Sequence, residues 1–246
     1  MAISDNDKFI QVFNNLYASI LELYNDMTNY KGNYQEDFAI CINKLKTKNM
    51  VIGRSMDFLD GVRRVRNIKI HDNFVNENLL INDQMLQRCI ELTQKLQNPP
   101  ILNEYIDKRH RNIYQVDINS GNHVHEIVHD MIVWWYSYVP VLADSRIVWL
   151  LDNDVIVARL SQNKILDTTT KIGDINIELL WSRDKHIYMI ASNEDEIEKI
   201  INLFDYYYSK NQKLLAVVVT DNGKDDGNIL EIITPYDLNW IEENLL

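Results

Sequence analysis

The sequence predicts an α+β chain, with an all-α bundle followed by a repeated region of strands and helices. Three observations predict it. The first 98 residues contain neither proline nor tryptophan and carry apolar side chains at helical spacing. Asn98-Pro99-Pro100 then ends that pattern, because a double proline cannot continue a helix and favours extended backbone. Beyond it a strand–helix–strand–strand–helix order occurs twice, about 80 residues apart, which is an internal repeat.

The elements follow in order. Phe9, Val12, Phe13, Leu16, Ile20 and Leu23 recur at spacings of three and four, so a helix capped at Ser4 or Asp5 runs to about Asn29. Gly32-Asn33 breaks it. Further helices are expected over 35–46, 51–71 and 82–96, the second interrupted by Gly53 and Gly61. Residues 1–98 form one domain, 99–113 a linker or lead-in helix, and 114–246 the repeats, at about 114–165 and 171–246. In the first repeat a helix is expected over 123–134, strands over 138–142 and 146–151 around the turn Ala143-Asp144-Ser145, and a helix from Val155. In the second, a strand over 187–191 precedes a helix capped near Ser192 or Asn193. Strands over 214–219 and 228–233 then lead to Thr234 and a last helix.

At 246 residues the chain is long enough for two modest cores, and its 46% apolar and 25% charged content is that of a soluble globular protein. No apolar run approaches the roughly 20 residues that span a bilayer. The polar start lacks signal-peptide character. Two cysteines, Cys41 and Cys89, are too few for a disulfide framework, so a reducing, cytoplasmic setting is expected. The net charge of −11 is uneven: residues 1–98 hold 12 basic and 12 acidic side chains, and the remainder 13 and 24. That excludes a surface generally coated by nucleic acid but leaves room for a local basic patch.

Leu230 to Leu238 is the most informative stretch. Leu230, Ile232 and Ile233 read as a strand, Thr234 as an N-cap, Pro235 as the first helical residue, and Asp237 as an acid suited to the positive helix end. Backbone N–H groups at a helix start can hold phosphate, and a carboxylate there can accept from a ribose hydroxyl. A helix that is merely well capped has the same signature.

The repeat resembles a pair of cystathionine-beta-synthase (CBS) domains. Tyr138-Val139-Pro140-Val141-Leu142, a short turn and Arg146-Ile147-Val148 look like that family's central hairpin, and Leu230 to Leu238 like its closing strand and helix start. The resemblance implies small sheets covered by helices and an adenine nucleotide, or another adenosine-containing ligand, as a regulatory cofactor. It implies Asp237 as the ribose-binding acid, Thr234 as the hydroxyl near phosphate, and the backbone at Ala216, Val217 and Val218 as the adenine wall. Asp154 is the matching acid of the first repeat. There Leu151 and Trp149 replace smaller or polar residues and Asp152 adds charge, so one competent and one degenerate site are expected. A pair kept only for dimerisation is the alternative.

A second feature lies at Val65-Arg66-Asn67-Ile68-Lys69-Ile70-His71. On a helix Asn67 and His71 are neighbours, and Arg63, Arg64 and Arg66 share a broad arc. Such a groove suits metal-independent cleavage of RNA: His71 as general base or acid, Arg66 on the scissile phosphate, Asn67 orienting the imidazole. An exposed basic helix end with an ordinary histidine reads the same way. Arg-Asn-x3-His in a small all-α domain resembles the HEPN superfamily, which implies a dimeric ribonuclease with a shared groove, or a binding role without catalysis.

His125-Glu126-Ile127-Val128-His129 matches the zinc-protease pattern H-E-x-x-H. Its place in the repeat calls for a packing helix with Val124, Val128 and Met131 buried, and no third ligand can be named, so no metal site is assigned. Trp134-Trp135-Tyr136 and Tyr206-Tyr207-Tyr208 end equivalent helices and are expected to pack within the pair or at a dimer interface. The resulting expectation is a cytoplasmic homodimer without membrane contact, in which an adenosine ligand controls an HEPN-like ribonuclease acting on RNA. A non-enzymatic sensor or adaptor is the alternative, and a zinc hydrolase a distant third.

Overall fold

The computed structural model describes residues 5–28, 36–71, 82–109, 111–153, 156–157, 168–175 and 187–245. The chain divides into two compact units, Met1–Pro100 and Ile101–Leu245.

The first unit contains α1 (Asp5–Thr28), α2 (Phe38–Leu45), α3 (Met50–Arg54), α4 (Met56–His71) and α5 (Asp83–Gln97). The α1 stripe Phe9, Phe13, Leu16, Ile20 and Tyr24 is buried against Phe38, Cys41 and Ile42 of α2 and Cys89, Leu92 and Leu96 of α5. Val12 and Leu23, expected on that stripe, are only partly buried. Side-chain caps set the boundaries: Asp37 Oδ1 accepts from the Ala39 N–H at 2.8 Å, Asn49 from Ile52 at 2.9 Å and Asn82 from Met85 at 2.8 Å. Asp37 thus delays α2 to Phe38. Both thiols are buried, and burial pushes each up to about 11, so neither is poised as a nucleophile.

The helix expected over 51–71 is two helices, broken at Ser55. Gly53 permits a close approach inside α3: a Cβ there would stand 2.5 Å from the Lys46 carbonyl oxygen. Gly61, in contrast, would meet nothing within 4 Å and leaves α4 intact.

The second unit opens with α6 (Leu102–Arg109), the lead-in helix. Its Leu102 and Asn103 N–H groups donate to the carbonyls of Asp195 and Asn193. Two three-stranded sheets follow, β1 (Val116–Asp117), β2 (Val139–Ala143), β3 (Arg146–Leu151) and β4 (Ile187–Ser192), β5 (Leu214–Thr220), β6 (Ile229–Ile233). In each, the first strand pairs parallel with the second and the second antiparallel with the third. The unit also contains α7 (Val124–Trp134), α8 (Ile197–Ser209) and α9 (Leu238–Leu245). α8 starts later than expected because Asp195 Oδ2 accepts from the Ser192 N–H at 2.9 Å, closing a turn first.

The repeat extends to irregularities. The β2–β3 register shifts so that Val148 has no partner, and the β5–β6 register shifts so that Leu230 has none. These bulges place Ile147 and Leu150 on one face of their strand, and Ile229 and Ile232 correspondingly. All four join Ala216 and Val218 in one apolar cluster between the two sheets. Trp149 and Leu151 face the other way, toward Val124, Ile127 and Met131 of α7. Ile127 takes the buried place expected for Val128, which is only partly covered.

Two glycines test this account of the helical unit. Gly53→Ala is expected to destabilise by about 1–3 kcal/mol, the cost of forcing a methyl into a filled space. Gly61→Ala is expected to stabilise by about 0.5–1 kcal/mol. Urea midpoints at unchanged m-value check both.

Candidate functional site

Asp237 is the hub of the second unit. It closes a 3-10 turn, Pro235–Asp237, that follows β6 directly, with Thr234 as cap. Asp237 Oδ2 accepts from the Thr234 N–H at 2.9 Å and from the Thr234 hydroxyl at 2.8 Å. Its Oδ1 accepts from Arg109 Nη2 at 2.9 Å and Arg111 Nη1 at 3.4 Å. The local signature at 234–237 therefore folds as the sequence implies, and its carboxylate is already saturated. Arg109 lies over the rings of Tyr105 and Trp240, at 5.6 and 5.2 Å, and those rings meet edge to face.

Glu231 is the second acid here, 2% exposed. Its Oε1 accepts from the Ile232 N–H at 2.9 Å. Burial pushes its carboxyl up to about 7, with Asp237 adding to the rise and Arg109 and the backbone bond opposing it. The fully buried Tyr105 hydroxyl makes no hydrogen bond of ordinary geometry, and burial beside Asp237 and Glu231 raises its pKa. The repeat makes Glu231 stand out. It pairs with Val219 next to the Leu230 bulge, as Trp149 pairs with Val141 next to the Val148 bulge. The same position thus holds a buried indole in the first repeat and a buried carboxyl in the second.

These groups border a cleft of about 250 Å³, walled by Arg111 to Tyr114, Trp135 to Tyr138 and the 231–237 segment. Thr234 and Asp237 line it, whereas Val217 is fully buried within β5 and does not. Asp154 lies outside the described residues. In the first repeat Trp149 and Leu151 fill the core, and Asp152 is 5% exposed. Trp135 and Tyr236, both on the rim, are 91% and 88% exposed. Trp135 ends α7 in the left-handed region, φ 58°, where glycine is usual. Of the two places expected for these aromatics, the pair itself takes only Tyr136, which stacks on Tyr114 at 5.7 Å; Trp134 and Trp135 are exposed in the single chain. Tyr206 and Tyr208 are exposed too. Arg109, Arg111, Glu231 and Tyr236 escape the sequence reading. An acid inside the apolar run Leu230-Glu231-Ile232 was the available signal.

In the helical unit Arg66 and His71 lie on α4, His71 as its last residue. Arg66 Nη1 donates to Asn67 Oδ1 at 3.2 Å, and Arg66 sits 5.8 Å from the Phe13 ring centroid. Its Nε is buried without a partner. Arg66 borders a groove with Tyr17, Glu22 and Asp26 of α1. Tyr17 donates its hydroxyl to the Glu36 carbonyl, and burial raises its pKa.

The H-E-x-x-H residues behave as helix surface. Glu126 accepts from the His123 N–H at 3.3 Å, and His125 and His129 are exposed. Among the described residues no three His, Cys, Asp or Glu side chains gather in a metal-binding group. Among them, too, no helix is long and apolar enough to cross a membrane.

Neither a protein-family model nor a curated protein matches the chain. Solved structures that it resembles are CBS-domain proteins. One, with CBS domains, from Burkholderia ambifaria, is 13% identical with a TM-score of 0.42, covering 60% of this chain and 98% of that one. The CBS domain pair of protein MJ0100, in complex with 5'-methylthioadenosine and S-adenosyl-L-methionine, is 15% identical with a TM-score of 0.41, covering 58% and 94%. A CBS-domain protein from Agrobacterium tumefaciens is 10% identical with a TM-score of 0.41, covering 57% and 91%.

The acid pair yields a pH prediction. Glu231 keeps its proton in the folded protein up to about pH 7, whereas the unfolded chain loses it near 4.5. The folded state thus binds the extra proton between those values, and stability falls across that window as pH rises. Glu231→Gln removes the titration, so it is expected to gain on wild type from pH 4.5 upward, with the gain levelling above pH 7. Denaturant midpoints across pH test this.

Proposed function

We propose that the second unit is a CBS-type pair that binds an adenosine-containing ligand in the Thr234–Asp237 cleft, and that binding regulates the helical unit. The observation that carries this reading is the polar cleft at the end of β6, in a repeat whose partner position is packed shut by Trp149. Asp237 offers a carboxylate for ribose, and Thr234, whose single O–H is donated to Asp237 Oδ2, lies beside it at the cleft wall. Trp135 and Tyr236 offer aromatic faces at the rim for a base. A left-handed tryptophan costs about 1 kcal/mol or more, a strain that ligand stacking would explain.

The helical unit is the proposed output, within a homodimer. Two chemistries compete for it. Arg66, Asn67 and His71 support a metal-independent, HEPN-like ribonuclease. Glu22 and Asp26 in the Arg66 groove oppose a phosphodiester there and favour a non-enzymatic adaptor. RNA cleavage in EDTA, abolished by His71→Ala, is the result expected of the ribonuclease; absence of cleavage with and without nucleotide selects the adaptor. Sedimentation velocity tests the dimer.

Thermal shift tests the ligand. Asp237→Ala is unsuitable, because it strands Arg109 and is expected to cost about 3–5 kcal/mol by itself. Trp135→Gly is better. It is expected to raise the unliganded Tm by relieving the left-handed residue, and to shrink the shift given by AMP, ATP, adenosine or S-adenosylmethionine. A saturating ligand at 100 times Kd stabilises by about 2.7 kcal/mol. No shift of wild type by any of the four overturns the reading.

A further inference from the structure

Asp237 Oδ1 meets two guanidinium groups that are unlike. Arg109, 18% exposed, holds it at 2.9 Å and is packed over the Tyr105 and Trp240 rings. Arg111, 47% exposed, reaches it at 3.4 Å, long for a charge-assisted bond, and lines the cleft beside Thr234. One carboxylate cannot neutralise two guanidinium groups, and its other oxygen is taken by Thr234. The surplus positive charge therefore rests on the looser arm, the one facing the cleft.

We propose that Arg111 is an exchangeable arm that leaves Asp237 for the phosphate of a nucleotide in the cleft, so that the site selects phosphorylated adenosine ligands over adenosine. The inference rests on the adenosine-cleft reading above. When Arg111 leaves, Asp237 Oδ1 gains a free lone pair for a ribose hydroxyl while Arg109 keeps its own bond to the carboxylate. Arg111 exchanges a weak internal contact for a fork on phosphate. Adenosine gives it no such replacement.

Glu231 tunes this exchange. Its carboxyl borders the same cleft and feels Asp237 and Arg109, with the Tyr105 hydroxyl and Arg111 in the same cluster. Ionised Glu231 opposes an incoming phosphate; neutral Glu231 does not. Phosphate binding thus favours the protonated form, and AMP binding takes up part of a proton near pH 7.

Calorimetric titration of the full chain with AMP and with adenosine tests the proposal. Arg111→Gln is expected to lower the AMP-to-adenosine affinity ratio by about tenfold or more, and Arg111→Lys, which keeps the charge, by less. The ratio of wild-type to Glu231→Gln affinity for AMP is expected to fall as pH rises through 7; comparing two proteins cancels the phosphate's own titration near pH 6. If both ligands bind and Arg111→Gln leaves the ratio unchanged, or if adenosine binds wild type and AMP does not, the proposal is overturned and the cleft reading stands. If neither binds wild type, both fall.

Discussion

One carboxylate joins the beginning of the second unit to its end. Asp237 draws in Arg109 and Arg111, 128 and 126 residues earlier, while capping the turn that follows β6. A buried ion pair is a poor source of stability by itself, since desolvation offsets most of its attraction. What it contributes is place. Arg109 can satisfy Asp237 only when α6 lies against α9, where Tyr105 and Trp240 flank its guanidinium. With α6 so fixed, the chain at 111–114 forms one wall of the cleft and the 231–237 segment another.

The two repeats show how one plan accommodates packing and polarity. Matching bulges at Val148 and Leu230 preserve the inter-sheet cluster in both halves. The opposite strand face is free to differ. In the first repeat it carries Trp149 and closes an apolar core against α7. In the second it carries Glu231, where burial outweighs the opposing Arg109 and Ile232 N–H and pushes the carboxyl up to about 7. A buried carboxyl is costly for stability by itself.

What could be read from sequence follows from how local each cause is. Thr234, Pro235 and Asp237 act on backbone within three residues, so the turn was legible. The α1 stripe was legible through its period, and the Arg146–Leu151 strand as a short apolar run after a turn. The close approach of the Lys46 carbonyl to Gly53 was not, because it comes from seven residues away in the chain. The two-residue β1 is too short to carry a period. Arg109 and Arg111 fall in the stretch expected as linker or lead-in helix, and nothing near them in sequence announces Asp237. Aromatic bulk predicts burial of Trp134 and Trp135, but the left-handed end of α7 leaves both exposed in the single chain.

Saturation of Asp237 bears directly on the proposed regulation. A ligand shifts an equilibrium only by the difference in its affinity for the two states. A preformed acceptor with a free lone pair would bind ribose without disturbing its surroundings, and nothing would be transmitted. Here a ribose hydroxyl must compete with donors already in place. Thr234 is tied to the same turn, and Arg109 is held between rings, so the yielding contact is the long one to Arg111. Releasing it would change the charge and tether of the segment that enters β1. Occupancy of the proposed cleft would thereby alter a restraint on the start of the second unit, the part of the fold that follows directly from the helical unit in sequence.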